Sequence, residues 1–309
     1  MKVTVVGAGN VGATCADVLA YKEIANEIVV VDIKDGLAEG KALDIWQKAP
    51  INTYDSRTTG STNDYSKTAG SEVVVITSGL PRKPGMTRDD LISTNAGIVK
   101  MVTENVIEHS PDAIIIVVSN PLDVMTYQAH LTSKLPRNKV MGMAGILDTA
   151  RYRAFLAEAL DVSPKDIQAM LLGGHGDTMV PLPRYTTVGG IPVRELIDDK
   201  KLDEIVERTK FGGGELVKLM GTSAWYAPGS AAAQMVEAIV RDQKRVFPAC
   251  IKLEGEYSID NCYLGVPVIL GKNGVEKVLE LELDDDEMKL MNQSRDHVYE
   301  VMSVLDNMK

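Results

Sequence analysis

Along its first half the chain alternates short, almost wholly apolar runs with helix-length stretches whose apolar positions recur every three or four residues. The runs Lys2 to Val6, Glu27 to Val31, Glu72 to Thr77, Asp112 to Val118 and Lys139 to Met143 predict β-strands. Their near-continuous Val and Ile content, with little polar alternation, predicts burial on both faces. Between them, Val11 to Tyr21, Leu37 to Gln47, Asp89 to Glu108 and Leu122 to Ser133 predict helices, with Ser110-Pro111 and Asn120-Pro121 as boundary signals. This alternation predicts right-handed βαβ units and a parallel, doubly wound sheet, an α/β fold.

The rhythm changes after about residue 145. A long helix is followed by irregular Gly/Pro segments, two helices over Lys200 to Leu219 and Ser230 to Gln243, and antiparallel strands near Ala249 to Leu253 and Tyr263 to Gly271. A last helix opens on Asp284-Asp285-Asp286-Glu287 and runs to about Asn307; its carboxylates suit the positive end of a helix dipole and need no partner. The expected division is a Rossmann-type nucleotide-binding lobe over 1–145 and an α+β lobe carrying substrate chemistry over 146–309, within the capacity of 309 residues.

Composition narrows the function. With 33 Lys+Arg against 43 Asp+Glu the net charge is −10, which argues against a nucleic-acid partner. The N-terminus passes straight into strand-like sequence with no apolar leader or long apolar span, so no membrane association and a cytoplasmic location are expected. Cys15, Cys250 and Cys262 form no CxxC pair and read as small buried hydrophobes, with a Cys250–Cys262 bridge as the alternative. No metal-ligand spacing occurs, so no bound metal is expected.

Gly7-Ala8-Gly9-Asn10-Val11-Gly12 follows the first strand and opens a helix, and Asp32 ends the next strand twenty residues beyond Gly12. In this context the first glycine serves a tight turn, the second admits a pyrophosphate, and the third allows close helix–strand packing. Asp32 is placed to accept ribose hydroxyls and to repel a 2′-phosphate, which favours NAD over NADP; Lys34 offers the only nearby offset.

His175, one of four histidines, lies in Gly173-Gly174-His175-Gly176-Asp177, downstream of Leu147-Asp148-Thr149-Ala150-Arg151. An imidazole titrates near neutrality and can take a proton from an alcohol and return it to a ketone. A structural loop histidine, and a surface ion pair between Asp148 and Arg151, are the competing readings.

Taken in order, GAGNVG with Asp32, Gly79 to Asn95, Val118-Ser119-Asn120-Pro121, LDTAR, GGHGD and Gly221 to Gly229 resemble the lactate/malate dehydrogenase family, most nearly its lactate-dehydrogenase-like malate enzymes. The resemblance spans residues 7 to 229 and implies reversible hydride transfer between NAD and a 2-hydroxy acid. It implies His175 as proton acceptor and donor, Asp148 as its orienting carboxylate, and Arg151 as the clamp on the substrate carboxylate. It also implies cofactor contacts at Gly7, Ala8, Gly9, Asn10, Val11, Gly12, Asp32, Asn95, Val118, Ser119 and Asn120, and a homodimer or homotetramer. Asn120 is implied to touch substrate too, although Asn before Pro121 equally suits a turn.

Gly79 to Arg88 is rich in Gly and Pro and basic in an acidic protein, and it reads as a lid over the site. Arg88 resembles the arginine that polarises the reacting carbonyl. Arg82 stands where lactate enzymes commonly carry glutamine, and a guanidinium there would pair the second carboxylate of malate or oxaloacetate. Lys83 could substitute less well. Malate and oxaloacetate are therefore the expected substrates. The alternatives are lactate or another 2-hydroxy acid, an NAD-dependent glycosidase lacking its metal cluster, and a non-catalytic NAD-binding protein.

Overall fold

The computed structural model of the protein describes residues 1–80 and 87–307. Its first half runs β1 (Lys2–Val6), α1 (Asn10–Tyr21), β2 (Glu27–Asp32), α2 (Leu37–Gln47), α3 (Ala49–Asn52), β3 (Arg57–Thr62), β4 (Val73–Ile76), α4 (Arg88–His109), β5 (Ile114–Val117), α5 (Leu122–Ser133) and β6 (Val140–Gly142). Then come α6 (Gly145–Leu160), the short strands β7 (Ile167–Gln168), β8 (Leu171–Leu172), β9 (Val180–Pro181), β10 (Thr187–Val188) and β11 (Ile191–Pro192), and α7 (Asp199–Lys210), α8 (Gly212–Met220) and α9 (Tyr226–Val240). The chain closes with β12 (Arg245–Glu254), β13 (Asp260–Gly271), β14 (Gly274–Val278) and α10 (Asp285–Asp306).

Six parallel strands lie in the order β3-β2-β1-β4-β5-β6, so the winding direction reverses between β1 and β4. Helices cover both faces, and Val3, Val5, Ile28 to Val31, Val73 to Ile76 and Ile114 to Val117 are buried, as unbroken Val/Ile runs require. β12 joins β6 antiparallel through Cys250 opposite Gly142, and β13 and β14 extend the same sheet to nine strands.

Several expectations change in the structure. β3, Arg-Thr-Thr-Gly-Ser-Thr, is an added parallel edge strand that polarity concealed; the Thr58 hydroxyl donates to the Ala42 carbonyl at 2.7 Å, which satisfies a buried polar group. The helix expected over Lys200 to Leu219 is two, because the chain turns at Phe211 and Gly212-Gly213-Gly214 has low helix propensity. The next helix starts at Tyr226 rather than Ser230. α10 begins as its acidic start suggests: the Asp284 carboxylate accepts the Glu287 N–H at 2.9 Å, and Glu287 reciprocates at 3.0 Å, in a capping box. Cys15, Cys250 and Cys262 are free, buried thiols; Cys250 lies opposite Gly265 on β13, out of register with Cys262.

Candidate active site

The site forms where the parallel strands end. β1 passes into the glycine turn at the point of reversal. Gly7 has φ +107°, and a Cβ on Gly12 would lie 1.8 Å from the Gly7 carbonyl oxygen, so neither position takes a side chain without a shift. A Cβ on Gly9 would meet nothing within 4 Å, which leaves open space at the start of α1. The first turn of α1 has no side-chain cap, so its N–H groups are available to an anion. At the end of β2 the Asp32 carboxylate accepts from the Ala8 N–H at 2.6 Å and from the Lys34 N–H at 2.9 Å. This carboxylate thus holds the glycine turn while keeping lone pairs for a ligand. The open turn, the uncapped helix end and the acceptor beside them fit a dinucleotide.

The residues expected to transfer the proton come from the other side. After β8 the chain turns through Gly173 (φ +83°) and Gly176 (φ +133°), left-handed conformations that place His175 between two permissive residues. His175 Nδ1 lies 2.8 Å from Asp148 Oδ2 on the first turn of α6. The Asp148 side chain is 1% exposed and that of His175 18%. An ionised carboxylate accepts only, so Nδ1 carries the proton in the neutral imidazole and Nε2 presents a lone pair. Burial alone would push His175 down. The charge and hydrogen bond of Asp148, with the charge of Asp123, outweigh burial and an opposing Arg151, so its pKa stands above the ordinary imidazole value.

Arg151 follows Asp148 by one helical turn and donates from Nη1 to Asp148 Oδ1 at 3.3 Å. Its Nε is buried without a hydrogen-bond partner among the described residues, leaving part of the planar fork to an anion. The side chain reaches past Gly212 and Gly213 at the start of α8; a Cβ on Gly213 would stand 3.8 Å from both Nη atoms. The break between α7 and α8 therefore brings two glycines beside the guanidinium.

His175, Arg151 and Asn120 line one cavity of about 250 Å³ together with Val11 and Val118. Gly213, Val217, Ser223, Ala224 and Pro228 complete its far wall. A larger cleft of about 600 Å³ lies between α5, β13 and α10, but it holds none of these groups. Other expected residues act as braces. The Asn95 side chain accepts from the Leu80 N–H at 2.8 Å and donates to the Leu80 and Asn120 carbonyls at 3.1 and 2.7 Å, tying the ends of β4 and β5 together. Ser119 Oγ donates to the Ser78 carbonyl at 2.5 Å. Of the segment expected as a lid, residues 81–86 with Arg82 and Lys83 lie outside the described residues, as does the Arg88 side chain; the helix that Arg88 opens is capped by Thr87, which accepts from the Asp90 N–H at 3.1 Å. Among the described residues no cluster of three or more His, Cys, Asp or Glu could hold a metal ion.

Motif reasoning missed the far wall, Asp123 and Ser294. Ser223 and Ala224 fall inside the Gly221 to Gly229 motif, which could have pointed to them, whereas Asp123 and Ser294 act through contacts to a distant loop.

A doubly wound sheet ending in a nucleotide turn, with a histidine–aspartate pair beside it, places the protein among the nucleotide-linked dehydrogenases. Comparison with known proteins narrows the class. Residues 1–142 match the NAD-binding domain of lactate/malate dehydrogenases, and residues 146–305 match their α/β C-terminal domain. The chain belongs to the lactate/malate dehydrogenase family. It is 78% identical over 308 residues to a malate dehydrogenase of Cytophaga hutchinsonii, covering 100% of this chain and 99% of that protein. A solved malate dehydrogenase structure from Salinibacter ruber superposes with a TM-score of 0.96 at 58% identity, covering 100% of this chain and 98% of the other. A Cryptosporidium parvum lactate dehydrogenase solved with lactic acid and the nicotinamide cofactor reaches a TM-score of 0.95 at 39% identity, covering 99% and 98%. The malate and lactate enzymes thus superpose on this chain almost equally well.

Proposed function

We propose that the protein is an NAD-dependent malate dehydrogenase interconverting (S)-malate and oxaloacetate. The observation that carries this reading is His175 held by buried Asp148 beside Arg151, in one cavity next to the nucleotide turn. The 78% identity to a malate dehydrogenase over the whole chain supports the choice of substrate. Residues 1–145 hold the nucleotide and residues 146–309 supply the acid–base pair and substrate clamp.

Neutral His175 takes the malate C2 hydroxyl proton on Nε2, and the imidazolium so formed is stabilised by Asp148; in reverse, the imidazolium protonates the oxaloacetate oxygen. NAD, when bound, accepts the C2 hydride. Arg151 binds the carboxylate next to C2 with its fork and fixes the substrate rotationally. The Asn120 amide meets the substrate oxygen, and Arg88 stabilises negative charge developing on it. Arg82 pairs the second carboxylate, which pyruvate and lactate lack. Gly7 to Gly12 receive the pyrophosphate and Asp32 the ribose hydroxyls, with Val118, Ser119 and Asn95 shaping the nicotinamide end.

The protein acts in the cytoplasm; among the described residues no helix is long and apolar enough to cross a membrane. It self-associates as a dimer or tetramer through the surface of α1 to α3, where Tyr21, Leu43 and Ile51 are exposed. The apolar residues of α9 are mostly buried within their own chain. Turnover of oxaloacetate by the purified protein with NADH tests the reading. Steady consumption that disappears in His175→Asn, while NADH still binds, supports it; an NADH-binding protein inert toward oxaloacetate overturns it.

A further inference from the structure

Three consecutive amides of the histidine loop are held by three different elements. Gly173 exchanges backbone hydrogen bonds with Gly265 of β13, each 2.9 Å. The Gly174 N–H donates to Ser294 Oγ of α10 at 2.6 Å, and the His175 N–H to Asp123 Oδ2 of α5 at 3.0 Å. Ser294 is fully buried and Asp123 is 7% exposed. A Cβ on Gly174 would lie 3.3 Å from both of these acceptor oxygens, so the loop is packed directly onto them.

A buried carboxyl is an expensive way to fill space, and an apolar residue would pack there at lower cost. Oδ1 of Asp123 has no hydrogen-bond partner among the described residues. Burial pushes its pKa up, against the pull of the His175 amide and imidazole and of a hydrogen bond from the Cys250 thiol. The Cys250 thiol facing it is pushed well above its ordinary range by burial and by Asp123, so it keeps its proton. Beside that thiol, Asp123 accepts the amide of the residue proposed to move the proton. Asn120, which lines the cavity, stands just ahead of α5, and Asp123 lies in the first turn of that helix, so one short segment carries both a cavity residue and the anchor of His175.

We propose that Asp123, with Ser294 beside it, is a positioning residue for the acid–base step. It fixes the peptide from which the imidazole hangs, while Asp148 fixes the ring at Nδ1. The inference rests on the proposed role of His175. Slack at the peptide moves Nε2 relative to the substrate oxygen, and displacements near 1 Å cost on the order of a hundredfold in rate.

The test compares full-length Asp123→Ala, Asp123→Asn and Ser294→Ala with the wild type in kcat and KM for oxaloacetate and in NADH affinity. Asp123→Ala lowers kcat by about 10- to 100-fold with NADH affinity unchanged. Asp123→Asn, which retains an acceptor oxygen, recovers about tenfold of that loss when the alanine variant has lost a hundredfold. Ser294→Ala lowers kcat alone by a smaller factor and decides the matter if Asp123→Ala does not fold. Unchanged kcat in the alanine variants, an asparagine variant as impaired as alanine, or loss of NADH affinity in step with kcat overturns the proposal. A wild type inert toward oxaloacetate would instead defeat the proposed function itself.

Discussion

Replacing Asp148 with asparagine removes a charge from behind His175 with little change in shape. The interacting atoms are 2.8 Å apart and the carboxylate is 1% exposed, so solvent screens the pair weakly. With charge centres about 4 Å apart and an effective dielectric near 20, the imidazolium gains at most about 4 kcal/mol from Asp148. A retained hydrogen bond and the nearby Asp123 keep the fall below that bound. The sign follows from the raised pKa of the wild type. Oxaloacetate reduction needs the imidazolium, so its kcat/KM declines as pH rises through the His175 pKa, and malate oxidation shows the opposite limb. In Asp148→Asn both midpoints move to lower pH, and the imidazolium available for reduction at neutral pH falls with them. The assay is kcat/KM against pH in both directions. Midpoints that stay in place or move upward would refute the assignment of Asp148 as the group that stabilises the imidazolium.

Arg151→Lys keeps the charge but loses the fork, and kcat/KM for oxaloacetate is expected to fall by about 100-fold, near 3 kcal/mol, with NADH affinity unchanged; equal turnover would remove the clamp assignment. Arg82→Gln should shift the ratio of oxaloacetate to pyruvate reduction toward pyruvate by at least about tenfold, or 1.4 kcal/mol, and an unmoved ratio would transfer specificity elsewhere. Gly12→Ala drives a methyl to 1.8 Å from the Gly7 oxygen and should destabilise the fold by about 2–4 kcal/mol, seen as a lower Tm in calorimetry. Gly9→Ala meets open space, so its Tm should stay at the wild-type value while NADH affinity, measured by fluorescence titration, falls.

The parallel sheet was legible because burial on both faces forces unbroken Val/Ile runs, and the nucleotide turn because each glycine answers a separate steric demand. β3 was hidden because its buried positions are Thr58 and Ser61, satisfied by carbonyls of Ala42 and Asp64 that only the folded chain supplies. The α7–α8 break was written in Gly212 to Gly214, but nothing local says that Arg151 needs the room. His175, Asp148 and Arg151 could be grouped through the resemblance that their motifs carry, and the structure brings them together. Asp123 and Ser294 could not, since they lie 52 and 120 residues from the amides they hold and resemble an acidic first helical turn and an ordinary buried hydroxyl.

The most direct test of the account is the wild-type ratio of kcat/KM for oxaloacetate to that for pyruvate, followed through nicotinamide absorbance with NADH and, in parallel, NADPH. The account predicts a large preference for oxaloacetate and for NADH, set by a cation at Arg82 and the carboxylate of Asp32. A preference for pyruvate would contradict the substrate assignment while leaving the His175 chemistry standing, and equal use of NADPH would contradict the role given to Asp32.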